Sequence, residues 1–491
     1  VTKIRTNLSS IATGAATLSL VNAFRLLLQT LSLPLMARLL SPDDYGLAAM
    51  AMPLVLFVMM LADGGLASSL VRHGSPDGAA WHSCFWMSCG LGAALSGLIA
   101  LSAPLAGAVL NEPRVVPVIA VLGTIVLGQA ASLVPGAALQ QARRFGTIAL
   151  LESFVLVLAL GTAVICAIKG LGVWALIWQQ IVLYGVRVVL NLCLSPYRVR
   201  FVFRLQTIRE HAIFGGNLIG VSLVTLASRA IDNVVMGRVC GTAPVGLFAM
   251  ALQFSRLPFM LATGPLQYVI YPHISDPEQF EGRLGELFLL MSRLLAIVIL
   301  PGIGLLAVAS GPIFHILLSA KWDPAIRVFA TLAAGSAVQT VTALAGTFVM
   351  ALGRTDLQLK LAVTSAVGWF LCLIGSVWWG IDGVALANSL WTILFALWSL
   401  HVVLPLIGCR MSAYLRAMLW PAGLSGIAMA LYLLLEPEGD AHDLAESLLA
   451  AGLAAATIGI TLFIQRADLL KTLKRFSALG GADSAGRAVS T

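Results

Sequence analysis

The chain is a succession of apolar runs, and their length decides what it can fold into. The runs cover residues 13–38, 46–70, 83–109, 116–139, 148–168 and 172–194, then 212–237, 245–270, 287–309, 327–351, 360–379 and 383–406, and finally 417–435 and 446–464. Each holds roughly 18–28 residues, enough to carry a helix across ~30 Å of hydrocarbon. Lipid offers backbone groups no hydrogen-bond partners, so runs of this length cross as helices. The expected fold is an all-α polytopic membrane protein with about 14 transmembrane helices. Composition agrees: 59% of the 491 residues are hydrophobic and 11% are charged, where soluble domains carry about 25% charged residues. The net charge of +8 is no nucleic-acid signature, because most Lys and Arg fall in short loops, where basic residues set topology. No nucleic-acid partner is expected.

Those loops give an orientation. One set holds Lys3, Arg5, Arg72, Arg143, Arg144, Arg198, Arg200, Arg204, Arg209, Arg283, Arg354, Lys360, Arg410, Arg416 and the tail Arg466, Lys471, Lys474 and Arg475. The other holds only Arg38, Arg114, Lys169, Arg238, Lys321 and Arg327. This bias puts both termini in the cytoplasm and the acidic Glu436–Asp443 stretch outside. Lys3 and Arg5 precede an apolar run without a cleavage pattern, so the first span is expected to be retained.

The sequence repeats itself. Two hundred positions separate Arg38–Met52 from Arg238–Leu252, with Tyr45-Gly46-Leu47-Ala48-Ala49-Met50-Ala51 matching Val245-Gly246-Leu247-Phe248-Ala249-Met250-Ala251. Further on, Gly136–Arg144 resembles Gly346–Arg354 and Gly172–Leu176 resembles Gly383–Ala387. Each half holds an even number of spans, so both begin on the same face, which makes a parallel repeat. The expected organisation is a six-helix lobe over 1–194, a cytoplasmic linker over 195–211, and a second six-helix lobe over 212–406. Two additional transmembrane helices follow over 407–464, then a cytoplasmic tail over 465–491.

No loop is long enough to fold as a catalytic domain, and there is no Walker A loop or Ser-His-Asp set. The seven histidines and seven cysteines are scattered, without metal-ligand spacing or a disulfide pattern. No catalytic residue, metal or cofactor is expected, and the chain reads as a non-enzyme.

What remains is a set of polar residues inside apolar runs, where a charge costs at least ~2.5–3.5 kcal/mol. Asn22, Arg25 and Gln29 share one face of the first helix, at i, i+3 and i+7. Ser222, Thr225, Arg229 and Asp232 share one face of the seventh, the equivalent helix of the second half. The eighth adds Gln253 and Arg256, the ninth Arg293 and the second Asp63. The functional reading is a hydrated cationic cavity between the halves, lined by Arg25, Arg229, Arg256, Arg293, Asn22, Gln29 and Gln253. Guanidinium groups there would hold a phosphate or diphosphate bidentately. Asp63 and Asp232 are candidates either for ion coupling or for pairing with those arginines. The competing reading makes the same charges structural ion pairs between helices. Glu152 and Arg187 fall near the drawn span ends and read as snorkelling side chains.

The run Ala37-Arg38-Leu39-Leu40-Ser41-Pro42-Asp43-Asp44-Tyr45-Gly46-Leu47 resembles the opening motif of bacterial polysaccharide flippases of the Wzx type. Ile231–Arg238, Gly241, Val245-Gly246-Leu247 and Tyr271-Pro272-His273-Ile274-Ser275 resemble later motifs of the same family. That family belongs to the multidrug/oligosaccharidyl-lipid/polysaccharide exporter superfamily. The resemblance implies flipping of undecaprenyl-diphosphate-linked oligosaccharide repeat units across the bacterial inner membrane, for exopolysaccharide, capsule or O-antigen synthesis. The reading is a flippase that works by alternating access in membrane lipid, with a polymerase and other polysaccharide-assembly proteins as candidate partners. The alternatives are a drug/cation antiporter of the superfamily, against which the intramembrane Arg excess argues, and a membrane polymerase or ligase, against which the short loops argue.

Overall fold

The computed structural model describes residues 24, 25, 27–63, 70, 79–204, 231–263, 266, 267, 274, 284–435 and 443–487. It divides into two compact units, Val1–Ala249 and Met250–Thr491. Ten continuous stretches among the described residues are long and apolar enough to cross a membrane, and one of them, Asp356–Ile407, holds two helices. They match the expected second to sixth and ninth to fourteenth spans. The first, seventh and eighth are described only in part.

Unit 1 begins with helix α1 over 27–39 and α2, Pro42–Asp63. It continues with α3, Ala79–Leu110; α4, Val115–Leu122; α5, Thr124–Gln141; α6, Phe145–Ile168; and α7, Trp174–Leu194. Helix α8 covers 231–240, and α9, Thr242–Pro258, carries the chain across the division between the units. Helices α4 and α5 form one span with a slight break at Gly123, whose carbonyl accepts the Ser96 hydroxyl at 2.7 Å. A side-chain hydroxyl satisfying a loosened backbone group is what makes such a break tolerable in lipid.

Between lipid-immersed helices the hydrophobic effect gives little drive, so close packing of small residues takes over. Ala163 and Ala167 of α6 and Ala175 of α7 are buried against Met36 and Leu40. Outward faces carry large apolar groups instead, such as Leu101, Leu150 and Phe154. The described part of the expected linker, 195–204, is strapped to α3. The Trp86 indole donates to the Arg200 carbonyl at 3.0 Å, and the Phe201 ring stacks on Trp86 with centroids 4.5 Å apart. The Tyr197 hydroxyl lies 3.0 Å from His82 Nδ1, and burial pushes its phenol pKa up.

Unit 2 contains α10, Leu284–Val308; α11, Ser310–Leu317; α12, Asp323–Thr342; α13, Leu344–Ala351; α14, Thr355–Ser376; α15, Gly380–Val403; α16, Met411–Leu435; and α17, Asp443–Arg487. Its core is aromatic: Phe288 packs on Phe348 and Tyr414, and Phe314 on Phe254 and Phe329, with centroids 5.2–5.9 Å apart. The expected fourteenth span ends at 464, but α17 runs unbroken through 45 residues. At ~1.5 Å per residue that is about 68 Å, twice the hydrocarbon thickness, so the described tail continues the last span as helix.

The internal repeat is visible in the backbone. At the end of α5, Arg143 (φ 53°) follows the helix in the left-handed region, with Arg143 N–H donating to Gln140 and Arg144 N–H to Leu139. Two hundred and ten positions later Gly353 (φ 72°) does the same, with Gly353 N–H donating to Met350 and Arg354 N–H to Val349. Both are Schellman closures, and each is followed at once by the next helix. Gly170 and Gly380 repeat the correspondence, at φ 74° and 73°.

Candidate functional site

Unit 1 carries a charged cluster among its membrane-spanning helices. Glu152 is the eighth residue of α6 and Arg187 the fourteenth of α7, so neither is at a helix end. Arg187 Nη2 donates to Glu152 Oε2 at 2.8 Å, and Arg25 Nη2 lies 3.8 Å from the same oxygen. The Arg187 and Glu152 side chains are only 18% and 20% exposed. Arg187 also rides over the Tyr184 ring, 5.3 Å from its centroid. Two guanidiniums on one carboxylate leave a surplus of one positive charge. The reading of Glu152 and Arg187 as snorkelling is thereby corrected: the two side chains are mostly buried and pair with each other inside the unit, Glu152 on a helix that starts three residues before the expected run.

Beside this pair is an open-sided pocket of about 180 Å³ lined by α5, α6 and α7. Its polar lining comes from Gln129, Ser132 and Gln140 of α5, Glu152 of α6, and Arg187 and Asn191 of α7. The floor is Gly136 and Ala137. Arg187 Nε is buried with no hydrogen-bond partner among the described residues.

The other residues singled out in the sequence fall as follows. Gln29 and Gln253 are exposed, and Asp232 and Arg256 are half-buried and engaged by partners. Arg293 is mostly buried in α10, and its Nη2 lies 3.8 Å from Asp468 Oδ2 of α17. That contact gives Arg293 a counter-charge from the helix outside the repeat. Asp63 closes α2, while its side chain, together with Asn22 and Arg229, lies outside the described residues. Of the predicted set, Arg25 meets a second, less exposed cation, Arg187, on the shared Glu152 carboxylate. The spacing of Arg187 and Asn191, one helical turn apart inside an apolar run, was the available signal.

A second charged cluster lies where α3 gives way to α4. Arg114 donates to Asp43 at 2.6 Å and to Glu112 at 2.8 Å, and Asp43 accepts the Thr242 hydroxyl at the start of α9. Hydrogen bonds from Arg114 hold the Glu112 carboxyl below the usual carboxylate range.

Comparison with known proteins places this architecture. Among curated proteins, the chain is 26% identical to the succinoglycan biosynthesis transport protein ExoT of Rhizobium meliloti, over 74% of this chain and 73% of that one. It is 23% identical to the lipopolysaccharide biosynthesis protein WzxC of Escherichia coli, over 79% and 80%, and 23% identical to the teichuronic acid biosynthesis protein TuaB of Bacillus subtilis, over 74% and 76%. Among solved structures, the lipid II flippase MurJ in an inward closed conformation superposes with a TM-score of 0.75 at 14% identity, covering 92% of this chain and 99% of that one. An inward-facing multidrug resistance MATE transporter of the MOP superfamily superposes with a TM-score of 0.58 at 16% identity, covering 84% and 96%. These two establish the all-helical fold. The family model described as "Polysaccharide biosynthesis protein" matches residues 35–327, and the chain belongs to that family, as its loop motifs indicate.

Proposed function

We propose that the chain flips undecaprenyl-diphosphate-linked oligosaccharide repeat units from the inner to the outer leaflet of the bacterial inner membrane, by alternating access and with both termini cytoplasmic. The observation that carries this reading is the meeting of Arg25 and Arg187 on a single carboxylate among apolar helices. Arg187 neutralises Glu152, so the Arg25 charge is left over for an anionic ligand, and a charge among apolar helices is costly to keep without a use. Family membership and the roles named for its relatives support a role in polysaccharide assembly. In this reading Arg25, Arg229, Arg256 and Arg293 capture the diphosphate, Asn22, Gln29 and Gln253 contribute hydrogen bonds, and the prenyl chain stays in lipid. Asp63 and Asp232 couple the cycle to an ion gradient or serve as partners of the arginines. One charge moved through 100 mV is worth ~2.3 kcal/mol, enough to bias such a cycle. A polymerase of the same pathway would take up the product.

The test is leaflet transfer of lipid-linked oligosaccharide by the reconstituted protein. Arg229→Ala and Arg256→Ala are expected to abolish transfer at unchanged protein level. Arg→Lys at either position restores it only in part, because a point charge replaces a planar fork. Normal transfer by both alanine variants would overturn the assignment. Export of a cationic dye in place of glycan would favour the antiporter reading.

A further inference from the structure

We infer that the pocket between α5, α6 and α7 binds one pyranose residue of the carried glycan, separately from the diphosphate. The first support is an internal control that the repeat supplies. Across the backbone match of α5–α6 with α13–α14, Glu152 falls on Ala362 and Gln140 on Met350. Whether α7 is matched to α15 through Gly170 and Gly380 or through Gly172 and Gly383, Arg187 falls on an apolar residue, Leu397 or Trp398. Gly136 keeps its counterpart Gly346, and Gln129 keeps Gln339. Unit 2 closes the same helix ends without the ion pair, so the fold does not require it. Replacing a buried pair by apolar residues is often neutral or stabilising, so stability does not account for keeping it.

The second support is the chemistry of the lining. A phosphate accepts hydrogen bonds and repels a carboxylate. A sugar hydroxyl both donates and accepts. The pocket offers the Glu152 carboxylate as acceptor, Arg187 as donor, and the Gln129, Gln140 and Asn191 amides as both. A prenyl chain would leave those groups unpaired. Arg187 Nε is buried and unsatisfied among the described residues, and the Asn191 side chain lines the pocket. Buried polar groups in native proteins are normally paired, so Arg187 Nε marks a place for a ligand acceptor. The volume of about 180 Å³ is on the scale of one monosaccharide ring.

This inference rests on the reading of the chain as a carrier of lipid-linked glycan, and one experiment separates the two. The full-length protein in nanodiscs is probed by saturation-transfer NMR with glucose, galactose, N-acetylglucosamine and glucuronate. The wild type is also titrated with undecaprenyl diphosphate bearing no sugar. At least one monosaccharide is expected to bind, and to bind about tenfold more weakly once a hydrogen bond is removed in Asn191→Ala. The double variant Glu152→Ala/Arg187→Leu copies the apolar pair of unit 2, so it is expected to melt like the wild type and to lose the sugar signal. If it melts lower, Asn191→Ala carries the test. Absence of any sugar signal, or a signal unchanged in Asn191→Ala, overturns the pocket assignment. Failure of the wild type to bind the bare lipid diphosphate would overturn the cationic-cavity reading while leaving the pocket standing.

Discussion

Arg114 uses one guanidinium to tie together residues from three places in the chain. Asp43 and Glu112 are its carboxylate partners, and Thr242 reaches the same group through Asp43. At 55% exposure the pairs are solvent-screened, and each contributes at most ~1 kcal/mol. Their effect is local order, and it depends on pH. The folded-state pKa of Glu112 is depressed. Its contribution is therefore fully present above the unfolded carboxylate value of ~4.3 and is lost as pH falls through the folded value. Once each rate is divided by the intrinsic rate at that pH, the protection of the amides of residues 111, 112 and 114–116 is expected to fall below pH ~4, with no such step in Glu112→Gln. Hydrogen exchange followed by mass spectrometry measures this, and protection that does not change with pH would rule the coupling out. Arg114→Lys keeps the charge and loses the fork, so the same amides are expected to exchange faster at neutral pH.

The helix ends at 143 and 353 let two halves of one chain be compared at equal geometry. Both adopt positive φ, but one is Arg and the other Gly. A left-handed conformation costs an L-residue roughly 1–2 kcal/mol, and Gly escapes it. Arg143→Gly is expected to stabilise unit 1 by up to ~1 kcal/mol, and Gly353→Ala to destabilise unit 2 by about the same amount. Opposite shifts in melting temperature check both, and shifts of the same sign would mean the two closures differ. At this scale the sequence was informative where physics is periodic. Apolar runs longer than a bilayer crossing left no choice of element, and Gly353 announced a helix end. It misled where an ending depends on what the helix does next. The drawn span stops near Phe463, but nothing at Arg466 breaks a helix, so α17 continues through Arg487. The site was legible only in part for a related reason. Arg25 stood out on a polar face, whereas Glu152 and Arg187 are each the single charged residue of their helix. Their meeting joins residues from separate helices, which periodicity within one helix cannot reveal.

A duplicated chain has few places where equivalent residues touch each other, and here Gly46 of α2 meets Gly246 of α9. A Cβ on Gly46 would overlap the carbonyl of Thr242, and a Cβ on Gly246 would overlap the carbonyl of Pro42. The contact is reciprocal: each glycine faces the residue four positions before the other, as across a local two-fold axis. Backbone lies against backbone, so no flexible side chain can move aside. Gly46→Ala and Gly246→Ala must therefore push the helices apart, at an overpacking cost of about 1–3 kcal/mol each. Gly237→Ala is the control. The nearest atoms to its Cβ would be Met50 Cε, Sδ and Cγ, at 2.7–3.2 Å, and a flexible methionine end swings away for less than ~1.5 kcal/mol. A clear drop in melting temperature is expected for the first two variants and little for the third, and equal melting of all three would show that the helices do not cross this closely. Tight crossings also limit motion, since two helices held backbone to backbone can splay only by turning about the contact. Gly46→Ala is therefore expected to slow lipid-linked glycan transfer per folded molecule, measured at a temperature where the variant remains folded, whereas Gly237→Ala transfers at the wild-type rate.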